Sequence, residues 1–219
     1  MLFLVVAFAS LASAQSALPG PKQECECSIV GHCSASQSCP DGYIAVCTCS
    51  ATGCSSSCTK IDGVMELSEP TLEKMLLGES AANFGKVLSK AFKKIVTFKP
   101  FDPNLKFEFN AENTARSTHW DLLDYLAKNG DLKINGHDLD FWKGVRQNLM
   151  SGGGFKMCAG PVAARLIVDE LSFLTGTRYS IISGDQNTKV TGPFEGSTIS
   201  EITEKIGRQA NVVIAEKQN

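Results

Sequence analysis

The chain has 219 residues, a formal charge of −2 from 21 basic and 23 acidic side chains, and 43% hydrophobic residues. A balance so near neutral excludes a nucleic-acid partner, which would demand a strongly basic face. The apolar content excludes a disordered polymer and is enough for an ordinary core.

Leu2 to Leu11 form an apolar run, and Ala12-Ser13-Ala14 supplies a small-x-small cleavage pattern. Residues 1–14 therefore read as a signal peptide cut after Ala14, and the mature protein as secreted or periplasmic. No Lys or Arg precedes the run, a departure from the usual signal. The run is also too short to span a bilayer, which takes roughly 20 residues.

Residues 15–60 hold eight of the nine cysteines: Cys25, Cys27, Cys33, Cys39, Cys47, Cys49, Cys54 and Cys58. A segment so poor in Leu, Ile and Phe needs covalent staples or a metal to hold a shape. In an oxidising compartment an even set implies disulfides, whose pairing the sequence leaves open. Structural zinc prefers C-x2-C knuckles, whereas Cys25/Cys27 and Cys47/Cys49 are C-x-C pairs, so no metal is assigned and His32 is read as a loop residue. The Ser, Gly and Thr between the cysteines predict a loop-rich module with one short hairpin through Tyr43–Val46. Cys158, far downstream, reads as a buried free thiol, with pairing to the head or to another chain as the alternative.

From Glu66 the texture is globular. Ser68 is placed to cap a helix that begins with Glu69 and Pro70. Phe84, Val87, Leu88, Ala91, Phe92 and Ile95 repeat at helical spacing, with Lys86, Lys90, Lys93 and Lys94 opposite. Such a helix could lie on an anionic membrane; the preferred reading is a solvated lysine face. Ile95–Phe98 and Leu105–Phe109 read as strands. Thr118-His-Trp-Asp121 has the capping-box form and opens a helix that Gly130 stops. Leu132–Ile134 is a strand ending in the Asn135-Gly136 turn, and Asp138 starts a helix through Trp142, Val145 and Leu149.

Residues 151–219 repeat this grammar. Strand Phe155–Cys158 leads to Pro161 at a helix start, and Gly176 ends that helix. Tyr179–Ser183 and Thr188–Thr191 are strands, Thr198-x-x-Glu201 opens a second helix, and Asn211–Ile214 is the closing strand. The order β-α-β-β-α-β predicts an α+β fold, a small mixed sheet covered by helices, built twice if 66–150 is a degenerate first unit.

The matching phrases are "ELSFLTG", "RYSIIS", "KVTGPFEGSTISEITEKI" and "NVVIAE", with Gly196 to Glu201 as a G-x-S/T-x-x-E element. On them, roughly residues 155–216 resemble the short domain at the N-termini of secretins and TonB-dependent receptors. "STHWDLLDYLAKNGDLKING" stands for a looser copy within about 70–136. The resemblance implies protein docking at a bacterial envelope machine and brings no catalytic residues.

No catalytic constellation is legible. His119 and His137 sit in helix-start contexts that suit packing or surface roles, and no metalloprotease, nucleophile-elbow or phosphate-loop motif occurs. Asp121/Asp124, Asp138/Asp140 and Asp169/Glu170 could do acid–base work, but caps and polar faces account for them. Ser151-Gly-Gly-Gly154 reads as a turn. No catalytic, cofactor or metal residue is assigned. The reading is a non-enzymatic interaction protein with a disulfide-rich head, its partner another protein at or outside the cell envelope. The alternatives are a secreted enzyme with an unrecognised site, and an inhibitor or effector acting through the head. A deep polar pocket joining a histidine to a carboxylate or Cys158 would favour the enzyme; an exposed edge strand would favour docking.

Overall fold

A computed structural model describes residues 23–29, 33–40, 42–50, 53–61, 65, 69–107, 118–151 and 155–217. Residues 1–14, the expected signal segment, His32, Ser68 and the glycines 152–154 lie outside the described residues.

Period-two alternation organises the cysteine block. Strands β1 (Gln23–Ile29) and β2 (Cys33–Cys39) form one antiparallel hairpin, and β3 (Tyr43–Ser50) and β4 (Gly53–Lys60) form another. In a strand, residues two apart share a face. Cys47 and Cys49 thus point the same way, and the register sets Ala45 opposite Cys58 and Cys49 opposite Cys54. Cys27, Cys39, Cys47, Cys49, Cys58 and Cys158 form one buried cluster, whereas Glu26, Ser28, Ser36 and Ser38 face solvent. The two hairpins therefore stack with sulfur between them. This corrects the expected knot of loops: the C-x-C spacing is strand alternation.

The opposite face of the β3–β4 hairpin carries Ile44, Val46, Thr48, Ser55, Ser57 and Thr59, all buried. It looks toward the helices. Helix α1 (Glu69–Leu76), a 3-10 turn (Ala81–Asn83) and α2 (Phe84–Phe92) come first. Strand β5 (Val96–Pro100), α3 (His119–Asn129), β6 (Gly130–Ile134) and α4 (Leu139–Met150) follow, with β5 and β6 paired antiparallel. Leu105 to Phe107 lie in no strand, so the predicted strand there is absent from its described part. Gly130 has extended backbone, and a Cβ on it would meet the Phe98 ring at 2.5 Å. A tight crossing of β5 and β6, more than a helix stop, requires that glycine.

The remainder comprises β7 (Phe155–Ala159), β8 (Val162–Ala163), α5 (Ala164–Thr175), β9 (Tyr179–Ser183), β10 (Lys189–Val190), β11 (Phe194–Gly196), α6 (Ile199–Ala210) and β12 (Val213–Glu216). The α+β class holds. The strands, however, are shared among small sheets: β11-β7-β3-β4, β8–β10 and β9–β12. Strand β7 pairs with β3 of the cysteine block, placing Cys158 opposite Cys47. Pro161 precedes β8 and does not open α5, and the closing strand starts at Val213, two residues later than expected.

Caps follow the sequence closely. Thr118 and Asp121 form the capping box of α3, Asp138 accepts from Phe141 N at 2.9 Å, and Gly176 closes α5 with φ 81°. At α6, Thr198 accepts from Glu201 N while the Glu201 carboxylate reaches Ser197 N. The central core joins Phe84, Phe92, Trp120, Trp142 and Phe173, which are among its largest buried side chains.

Candidate functional site

Most of the candidate side chains are engaged by structural partners. His119 is fully buried: its Nε2 lies 3.0 Å from the Phe173 carbonyl, and its ring stacks on Phe173 with Phe92 and Trp120 alongside. Burial pushes its pKa down from 6.5 to about 3, outweighing the backbone hydrogen bond, so the ring is neutral and Nε2–H donates. His137 stacks on Phe141 at 4.0 Å between ring centres. Asp121 and Asp138 are caps, and Asp124 pairs with Lys143. Among the described residues no three His, Cys, Asp or Glu side chains converge as a metal-binding group.

The cysteines with described side chains are bonded. Cys39 pairs with Cys58, Cys49 with Cys54, and Cys27 with Cys158; Cys47 is also in a disulfide. Cys158 is therefore not a free thiol. Its place in β7, stacked under the β1–β2 hairpin, brings Cys27 to a Cα separation of 5.6 Å, inside the range a disulfide spans.

Of the lysine face predicted on α2, Lys86 and Lys90 are exposed, whereas Lys93 and Lys94 are buried and correct the reading. Helix α2 ends at Phe92, and Lys93 takes a left-handed conformation with φ 54°. That turn sends both following ammonium groups inward. Lys93 Nζ meets Asp169 at 2.9 Å, and Lys94 Nζ meets Glu170 at 2.5 Å, with Lys94 and Glu170 at 0% and 1% exposure. Asp169 and Glu170 are thus ion-pair partners, not a polar helix face. Lys94 also donates to Ser57 Oγ at 2.9 Å and Thr59 Oγ1 at 3.2 Å, and Thr59 donates to Glu170. Burial lowers the pKa of Lys94, with Glu170 opposing. This junction, missed in the sequence, ties the cysteine block to α5.

The surface offers a different kind of site. Strands β9 and β12 form a two-stranded ribbon, and among the described residues neither pairs with a third strand. Ile182 and Val213 on it are 63% and 52% exposed. A cleft of about 460 Å³ runs between α6 and β12, lined by Thr203, Gly207, Val212 and Ile214. A Cβ on Gly207 would lie 2.9 Å from the Val212 carbonyl, so glycine lets the helix sit directly against the strand. At the ribbon's other end the Tyr179 phenol is held protonated above its usual range, by partial burial first and Glu216 second. Unpaired N–H and C=O groups beside exposed apolar side chains are what a docking strand needs.

An α+β protein with a disulfide-bonded strand sandwich is the class this fold defines, and its disulfides suit an oxidising compartment. No family model, curated protein or solved structure matches the chain. No helix among the described residues is long and apolar enough to cross a membrane.

Proposed function

We propose that this is an exported, non-enzymatic docking protein, working outside the cytosol, whose partner is another protein at the cell envelope. The observation that carries the reading is the β9–β12 ribbon, with open edges, Ile182 and Val213 exposed, and a shallow cleft beside it. His119 and His137 support it indirectly, since both rings are engaged in packing. The likeness of residues 155–216 to the secretin and TonB-receptor short domain belongs to the same proposal and points to a bacterial envelope machine. Supporting that likeness are the two helices α5 and α6, each followed by a strand of the ribbon.

The test is site-specific photo-cross-linking in the producing cells. A photoreactive residue at Val213 should yield one discrete adduct, lost when Ile182 is changed to Lys. The same residue at the exposed Lys99 should yield none. Equal labelling from both positions, or no adduct from Val213, overturns the reading.

A further inference from the structure

The junction beneath β4 gathers three complementary groups from three elements: the amine of Lys94, the carboxamide of Asn135 and the carboxylate of Glu170. We propose that Lys94 and Asn135 become joined by an intramolecular amide bond, with Glu170 and Ser57 moving the protons. Lys94 Nζ and Asn135 Nδ2 each lie 2.9 Å from the same oxygen, Ser57 Oγ, so the nucleophile and the leaving group flank one hydroxyl. Ile95 N–H donates to Asn135 Oδ1 at 3.1 Å, and Asn135 N–H donates to the Ile95 carbonyl at 2.7 Å. These two bonds fix the carboxamide against the residue that follows Lys94. Glu170 Oε2 sits 2.5 Å from Nζ, and the Phe173 and Trp142 rings shield the amine, their centres 4.6 and 5.9 Å away.

Each group has a role in the step. Lys94 Nζ passes its ammonium proton to Glu170 Oε2, 2.5 Å away, a transfer that burial of the amine favours. Nζ attacks Cγ of Asn135 and forms the new C–N bond. Charge developing on Oδ1 is held by the Ile95 N–H already aimed at it. The Ser57 hydroxyl takes a proton from Nζ as it gives its own to Nδ2, and the C–Nδ2 bond breaks. Ammonia leaves with the proton held by Glu170, as ammonium, and the Glu170 carboxylate is restored. Amine plus primary carboxamide become secondary amide plus ammonia, with no change of oxidation state. Confinement in a folded core supplies the proximity that a free amine and amide lack in water.

The experiment is intact-mass measurement of the purified, fully reduced full chain, followed by peptide mapping. The expected mass is one ammonia below that of the same chain unlinked, with a branched peptide joining the Lys94 and Asn135 segments. A cyclic imide at Asn135-Gly136 would also lose ammonia, so the branched peptide is required for support. Glu170→Gln and Ser57→Ala should restore the unlinked mass. Asn135→Gly, which suits the positive φ of 51° at that position, should do so without loss of fold. An unlinked wild-type mass, or ammonia loss with Lys94 found unmodified, overturns the proposal.

Discussion

The two halves of the β3–β4 hairpin's surroundings solve one problem by different chemistry. On one face lie sulfur atoms and the β1–β2 hairpin, whose described outward side chains are Glu26, Ser28, Ser36 and Ser38. On the other lie Ser57 and Thr59, the Lys94–Glu170 pair, and a core of Trp and Phe rings. The first layer contains too little apolar area to hold itself, so covalent bonds restrict its unfolded chain. The second has aromatic mass in excess and can carry a buried ion pair within it. Neither half is a separate module, because β7 hydrogen-bonds to β3 and Cys158 reaches back to Cys27.

The sharpest way to break the comparison is to cut one covalent tie at a time. Cys27–Cys158 closes a loop with a sequence separation of 131, and Cys49–Cys54 one of 5. Loop-closure entropy then assigns about 5 kcal/mol to the first and about 2 kcal/mol to the second. The paired variant Cys27→Ser with Cys158→Ser should lose more than twice the stability of Cys49→Ser with Cys54→Ser, read as urea midpoints under non-reducing conditions. Equal losses would mean that the long tie does not span an otherwise open chain.

On the opposite face the expected effect is somewhat smaller. In the Asn135→Gly background, where no amide can form and the ion pair is kept, Glu170→Ala leaves Lys94 as a buried, unpaired amine, a loss of about 3–5 kcal/mol. Replacing both partners, Lys94→Met with Glu170→Leu, should cost less than Glu170→Ala alone. Removing both charges relieves the desolvation that one alone would suffer. Chemical denaturation of the three proteins at one pH separates the outcomes; a double variant as unstable as the single one would show that Ser57 and Thr59 depend on the pair.

How much of this was legible depends on the range of the signal. Caps are local, so Thr118 with Asp121, Asp138 and Gly176 were readable and hold their predicted places. Strands Phe155–Cys158 and Tyr179–Ser183 were readable from alternation or β-branched content, and both form. The cysteine block was misread because its alternation is written in Cys against Ser and Glu, where an apolar pattern was sought. Lys93 and Lys94 could not be read as buried, since their partners are 76 residues away. A hint existed in the chain all the same. Two consecutive lysines and two consecutive acids sit beside otherwise apolar stripes, where at least one member of each pair must face inward. Cys158 was open for a similar reason: only the stacking of β1 over β7 chooses Cys27 for it.

The smallest of the expected effects belongs to His119, and it acts through protons. Its folded pKa, about 3, lies below the unfolded value near 6.5 because burial disfavours the imidazolium. Between those values the unfolded chain binds the proton first, so acid favours unfolding. The stabilisation is complete above pH 6.5 and is lost progressively as pH falls toward 3, up to about 4 kcal/mol at the lower end. At pH 5 the loss should be about 2 kcal/mol relative to pH 7.5. His119→Phe keeps a ring against Phe173 and Phe92 but forfeits the Nε2 hydrogen bond to the Phe173 carbonyl. That variant should be less stable at pH 7.5 yet show a flatter decline to pH 5. Carboxylates common to both proteins cancel in the difference, so parallel pH curves would show that His119 is already solvated in the native state.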